Sequence, residues 1–294
     1  MKLLTGSAVA PLAMLLGCAA PDQRLEPAPP NPPPAPTAEP YLGAIFVEGA
    51  FEQGGWMRGS VPPGTLRLTL GSVRVAVDRQ GRFFAGIDRD APAMLRLTAT
   101  GARGQTVARD MQIAPREWPI ERVNVPLRGS VPSDTFMARR RPELAAIQAA
   151  RAVQSDSLGW TQKFVWPVTG RISGRFGSQR IYQGVPGAYH SGLDITTGAS
   201  GTPYVAPADG VVVLAAQKPF SLEGNLLIID HGMGLNSAFL HSSTLAVRKG
   251  ERVKQGQLIG TIGATGRASG PHLHWSLKWH EARLDALLFL PPMP

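Results

Sequence analysis

The spacing of glycine constrains this chain more than any other feature. Gly170, Gly174, Gly177, Gly184, Gly187, Gly192, Gly198 and Gly201 interrupt a single stretch. A long helix does not survive such punctuation, because each interior glycine costs about 1 kcal/mol relative to alanine. Short β-rich runs follow, among them Gly210-Val211-Val212-Val213-Leu214 and Leu226-Leu227-Ile228-Ile229. Short strands between tight turns predict an antiparallel β-roll over residues 164–294.

The preceding part is also β, with a different rhythm. Leu66, Leu68 and Leu70 alternate with Arg67 and Thr69, Val73, Val75 and Val77 repeat that period, and Asp78-Arg79-Gln80-Gly81 supplies a turn. A further alternating run spans Met94 to Thr100. This predicts a small β-sandwich over residues 41–130, of immunoglobulin-like type, serving as a spacer or a binding domain. Between them, residues 131–163 read as a helical linker: Leu144, Ile147 and Ala150 have helical spacing, and Pro142 suits a first helical turn. Arg139, Arg140 and Arg141 read as a solvated basic patch. The expected class is therefore all-β with one linking helix.

Residues 18–40 are different again. Nine prolines lie between Pro21 and Pro40, so this stretch reads as a polyproline-like tether, able to reach about 60 Å at about 3.1 Å per residue. Before it, Lys2 leads into an apolar run from Leu3 to Leu16 that is too short to span a bilayer and has the form of a secretory signal over residues 1–17. The only cysteine, Cys18, closes that run, so the chain has neither a disulfide framework nor a thiolate metal site. The formal charge is +9. Its basic residues are scattered instead of clustering with aromatics, which argues against nucleic acid and for an anionic wall polymer or lipid surface.

All six histidines lie between His190 and His280. In an extended strand His272 and His274 project to the same side, with Leu273 opposite. One can bind a metal while the other faces what the metal activates. His190 and Asp194 are four apart across Gly192, in a segment better suited to an extended or turning backbone than to a helix. Two histidines and a carboxylate make a three-ligand zinc set whose fourth position stays open, the catalytic arrangement.

The surroundings of these residues carry a resemblance. Ser173-Gly174-Arg175-Phe176-Gly177, His190-Ser191-Gly192-Leu193-Asp194, Ala206-Pro207-Ala208-Asp209-Gly210, Gly224-Asn225, Asp230-His231-Gly232, Leu240-His241-Ser242, Gly263-Ala264-Thr265-Gly266 and Gly270-Pro271-His272-Leu273-His274 follow in order. Residues 166–290 thereby resemble the LytM or lysostaphin type of zinc metallopeptidase, which cuts peptide bonds of peptidoglycan. The resemblance implies one Zn²⁺ per chain on His190, Asp194 and His274, with His241 and His272 as the catalytic pair and peptidoglycan stem peptides as partners. Of the pair, His272 is assigned as general base and His241 as transition-state stabiliser, roles that could be shared or exchanged. Tyr182, Asn225 and His231 are supporting or substrate-contacting candidates, with Tyr189 an alternative to Tyr182. His231 is expected to be structural and near the site, and His280 to lie on the surface. The usual Tyr-Ala-His is here Phe239-Leu240-His241, which lacks a hydroxyl.

Two other readings compete with a wall endopeptidase: a non-catalytic envelope scaffold that regulates another wall hydrolase, and a wall-binding module with structural zinc. Leu15-Leu16-Gly17-Cys18 resembles a bacterial lipobox, implying lipid modification at Cys18. The absence of aspartate after it implies sorting to the outer membrane, facing the periplasm. Fatty-acid labelling in cells should therefore mark the protein and lose the label in Cys18→Ala; an unlabelled, freely periplasmic protein would remove the anchor.

Overall fold

The computed structural model describes residues 43–125, 133–216 and 218–294. The expectations for the signal segment, Cys18, the proline-rich tether and the boundary near residue 130 lie outside the described residues. Tyr41–Pro294 forms a compact unit.

Two sheets make up its N-terminal part. One has the order β1 (Phe46–Ala50), β2 (Trp56–Ser60), β5 (Arg82–Gly86). The other runs β4 (Val73–Val75), β3 (Thr65–Leu70), β6 (Met94–Gly101), β7 (Thr106–Gln112). The alternation expected in β3 holds for Leu68 and Leu70, which are buried, but Leu66 is exposed. A register shift between Thr65 and Arg67 breaks the two-residue period there.

The C-terminal part is built on an eight-stranded antiparallel sheet. Its order is β18 (Arg252–Val253), β14 (Gly210–Ala215), β15 (Asn225–Asp230), β16 (Leu235–Ser242), β20 (Leu273–Trp279), β12 (Leu193–Thr196), β9 (Arg171–Gly174), with β21 (Ala282–Leu284) pairing on β20. A smaller sheet, β13 (Pro203–Val205), β19 (Leu258–Thr261), β17 (Thr244–Leu245), packs beside it. This is the roll that the glycine spacing predicts.

The two parts share one core. Trp56 and Phe84 meet Phe289, Phe289 meets Phe164, and Phe164 stacks on Trp275, which stacks on Phe239 and so reaches Tyr204. The N-terminal sheets are therefore not a free spacer. A second joint is the parallel pairing of β8 (Ile120–Val123) with β10 (Gln179–Tyr182), which also pairs with β11 (Val185–Pro186).

The helix α1 (Asp134–Ala152) corrects two expectations. Its start is set by Ser133, whose hydroxyl accepts from the Phe136 N–H, so Pro142 falls inside the helix and leaves the Ala138 carbonyl without its usual donor. Nor is the arginine triplet wholly solvated. Arg140 is buried and donates to both Glu223 oxygens at 2.6 and 2.7 Å and to Glu143 at 2.9 Å. These pairs hold α1 on the outer face of β14 to β16, where Ala150 and Ile147 pack with Val213, Leu226, Ile228 and Ala238. The linker is thus part of the folded unit.

His231 lies deep in the core. Its Nδ1–H donates to the Asp209 carbonyl at 2.8 Å and its Nε2 accepts from the Ser237 hydroxyl at 2.7 Å, a pattern that requires the neutral ring. Burial, opposed only in part by Asp209, pushes its pKa down to about 4. The unfolded chain then takes up a proton near pH 6.5 that the folded chain refuses until about pH 4, so this stability is present above pH 6.5 and lost as pH falls through that window. Urea unfolding should show up to about 3 kcal/mol of this loss between pH 7 and 4 in the wild type, and His231→Gln should flatten the slope. Parallel pH profiles would place the acid sensitivity elsewhere.

Candidate metal centre and catalytic histidines

Three neighbouring strands bring the site together. Asp194 of β12 lies directly opposite His274 of β20, which lies opposite Leu240 of β16 on its other side. His272 shares the face of His274, as the two-residue period predicts, and its Nε2 stands 3.8 Å from Asp194 Oδ1. His190 arrives from the segment before β12, its N–H donating to the Ser178 carbonyl at 2.8 Å.

His241 is the exception to strand logic. In a regular strand Leu240 and His241 would face opposite ways, yet both line the same recess. The β15–β16 register shifts between Asn225 and Leu227, and His241 has a positive φ of 63°. This bulge turns its imidazole onto the active face, at the strain expected of a non-glycine residue in that region. The ring is then held by its Nδ1–H, which donates to the Thr265 carbonyl at 2.8 Å.

The same device recurs. His190 Nδ1 donates to the Arg175 carbonyl at 3.1 Å and His272 Nδ1 to the Gly270 carbonyl at 2.8 Å. His190, His241 and His272 therefore each present a bare Nε2, with the tautomer set by a backbone carbonyl. His274 instead turns Nδ1 inward, 2.8 Å from Asp194 Oδ1 and 3.2 Å from His190 Nε2, while His190 Nε2 lies 3.1 Å from Asp194 Oδ1. Three lone-pair atoms this close repel one another unless a proton or a cation lies among them. Nitrogen and oxygen ligands of a tetrahedral zinc ion, bonded at about 2.0–2.2 Å, stand about 3.3 Å apart. The donor set therefore fits the ion in both chemistry and span.

Electrostatics agree with this use. Burial alone would raise Asp194, but hydrogen bonds from His190 and His274, whose protons stand where a cation would, outweigh it and hold the carboxyl far below the usual range. Burial likewise acts to lower His190, and there the contacts with Asp194 reverse it and raise the ring. His274 and His241 are lowered, chiefly by burial, which favours the uncharged rings.

Residues 188–286 match the model described as Peptidase family M23. The chain carries an M23 peptidase domain. ShyA, a peptidoglycan DD-endopeptidase of Vibrio cholerae, is 41% identical over 124 residues, 42% of this chain and 28% of that protein. NlpD, a murein hydrolase activator of Escherichia coli, is 35% identical over 126 residues, 43% of this chain and 31% of that protein. The chain thus spans less than a third of either relative. A solved Pseudomonas aeruginosa protein described as peptidase M23 is 28% identical, with a TM-score of 0.62 over 81% of this chain and 94% of its own. That likeness extends beyond the M23 domain into the N-terminal sheets.

The supporting candidates have separate places. Asn225 Nδ2 donates to the Ser242 and Ser243 carbonyls at 2.9 and 3.2 Å, and its N–H donates to Thr265 Oγ1, so it fixes the turn that carries His241. Tyr182 and Tyr189 line a groove leading to His190 and Asp194, whose other wall is Pro119, Ile120 and Glu121. His231 reaches the M23 site only indirectly: Ser237 joins it to Trp275, next to His274. Both its ring nitrogens are engaged in the core, which leaves none for substrate. His280 is exposed on the ring of Trp279. Thr265 and Arg175 act through backbone carbonyls, a role that no side-chain motif reveals.

Two glycines make room for the candidate ligands. A Cβ on Gly192 would lie 2.6 Å from His274 Nε2, and one on Gly174 would lie 2.5 Å from Asp194 Oδ2. Gly192→Ala should therefore weaken zinc binding by about 10 to 100-fold in chelator competition, as expected when a ligand loses its orientation. Gly270→Ala, whose Cβ would meet nothing within 4 Å, should bind as the wild type does. Equal affinities in both variants would show that His274 is not a ligand.

Proposed function

We propose that the chain is a zinc-dependent endopeptidase that hydrolyses peptide cross-links of bacterial peptidoglycan, held as an outer-membrane lipoprotein facing the periplasm. The observation that carries the reading is the joint presence of a complete donor set and two further imidazoles on one face. His190, Asp194 and His274 would hold one Zn²⁺, while His241 and His272 stand with ring centroids 4.9 Å apart and unspent Nε2 atoms. When bound, the ion supplies a Lewis acid and makes water acidic enough to attack an amide near neutral pH.

The chain's own residues then divide the proton work. His272, with Nδ1–H committed to Gly270, receives at Nε2 the proton of the attacking water. His241 has the same tautomer, so its neutral ring has no proton at Nε2 to give; it would first take one up from solvent at Nε2, a step that burial opposes until negative charge develops beside it, and then donate that proton. That is the behaviour of a transition-state stabiliser or a donor to the leaving amine. Leu240, half-buried beside His241 in the same recess, provides apolar surface next to the histidines.

The likeness to NlpD supports a second reading, an envelope scaffold that activates another hydrolase. Neither catalytic histidine would be needed for that role. The lipid anchor rests on Cys18 and the apolar run before it, and the proline-rich segment would give it reach.

His274→Ala and Asp194→Ala should lose zinc together with activity, whereas His272→Ala and His241→Ala should keep near-stoichiometric zinc while turnover falls by about 10² to 10⁴-fold. Atomic spectrometry on dialysed variants and mass spectrometry of fragments released from purified sacculi provide the two readouts. Zinc-loaded wild type that releases nothing, yet stimulates another hydrolase, would establish the scaffold instead.

A further inference from the structure

The face that carries the histidines continues past them, and α1 roofs it. Between helix and sheet lies a cavity of about 710 Å³ that runs from Ser191 and His274 to Lys278, His280 and Arg283. Ser191, Glu223, Leu240 and His274 also line the recess of about 660 Å³ that holds His241 and His272. The two spaces form one trough with the metal centre part-way along it.

The far end of that trough has unbalanced charge. Lys278 is paired with Glu281 at 2.8 Å, and Glu223 is taken up by Arg140. Arg151, from the last turn of α1, is attracted by Glu281 and Glu223 but makes no close ion pair with either, and its Nη1 is buried without a hydrogen bond among the described residues. Arg283, across the β20–β21 ladder from Lys278, adds a second cation. Burial, and then the nearness of Arg283, push the Arg151 guanidinium down to about 10. A half-buried cation with one idle, buried N–H and a like charge nearby costs stability, and the arginine fork is shaped for a carboxylate.

We propose that Arg151, with Arg283, forms a carboxylate-binding subsite at the far end of the substrate trough, reading an acidic residue of the bound peptide. Lys278 follows His274 by four positions in β20, which at about 3.3 Å per residue places the subsite about 13 Å from the metal centre. An extended peptide covers that span in about four residues. The subsite therefore selects peptides with a free carboxylate on that side of the scissile bond. Its assignment to a wall peptide rests on the endopeptidase reading; the carboxylate preference itself does not.

The test uses the full chain after chelator treatment, so that no turnover intervenes. Calorimetry compares a synthetic stem pentapeptide with free side carboxylates and its carboxamide twin. The wild type should prefer the acid by about 10-fold, the preference typical of a charge-assisted pair. Arg151→Gln and the surface variant Arg283→Gln should each reduce that preference below about 3-fold while binding the twin as before, with Arg151→Lys intermediate because it keeps charge but loses the fork. Circular dichroism reports on the fold of each variant. An absence of preference in the wild type, an unchanged preference in both glutamine variants, or displacement by inorganic phosphate without any peptide preference would overturn the subsite. Sacculus cleavage by the zinc-loaded chain separates the two claims. Cleavage without carboxylate preference sinks only the subsite, and an Arg151-dependent preference without cleavage sinks only the hydrolase.

Discussion

The hydrogen-bonded ladder that seats β20 between β12 and β16 is the constraint on which the site depends. Through it Asp194, His274 and Leu240 occupy one row across three strands, and His272 stands one step along the same face. Strands about 4.8 Å apart leave little freedom in where their side chains meet. A slip of one residue in β20 would send both histidines into the core and Leu273 and Trp275 into the trough. The stack of Trp275 between Phe164 and Phe239 opposes that slip, because these rings fill the space between the sheet and the elements beneath it. Core packing and metal geometry are thus two faces of one strand.

The second layer of control is the backbone carbonyl. Arg175, Gly270 and Thr265 each engage the Nδ1–H of one imidazole, leaving Nε2 bare in each case. These carbonyls belong to loops braced by Gly174, Gly224 and Gly266, where an added Cβ would collide with neighbouring atoms. The strain at His241 is sustained by the same bracing: its N–H donates to the Glu223 carbonyl, and Asn225 and Thr265 tie down the next turn. Preorganisation of this kind lets a neutral imidazole act without first reorienting.

The helix joins the N-terminal region to the chemistry. Arg140 clamps it to Glu223, whose neighbours form the loop behind His241. Removing one partner from so buried a triad would cost about 3–5 kcal/mol. The helix therefore serves as a wall of the trough, and β8 provides a second wall on the side of His190. Both walls come from segments outside the matched M23 residues.

The sequence by itself determined the local features. Glycine spacing dictated a turned β-roll, because glycine disfavours long helices; the period of two put His272 and His274 on one face; and the order of motifs pointed to the five residues now seen together. What it left open depends on contacts distant in the chain. His241 faces the trough only because a bulge opposite Asn225 and Leu227 rotates it, and alternation alone would have buried it. Arg140 reads as solvated beside Arg139 and Arg141 until Glu223, 83 residues away, is brought to it. The start of α1 passed from Pro142 to Ser133 because a cap and a docked face outweigh one missing N–H. Arg151 looks like any last-turn arginine, and only the fold encloses its Nη1 without a hydrogen bond among the described residues. Spacing along a chain records short-range geometry, whereas burial and ion pairing arise when distant segments exclude water together.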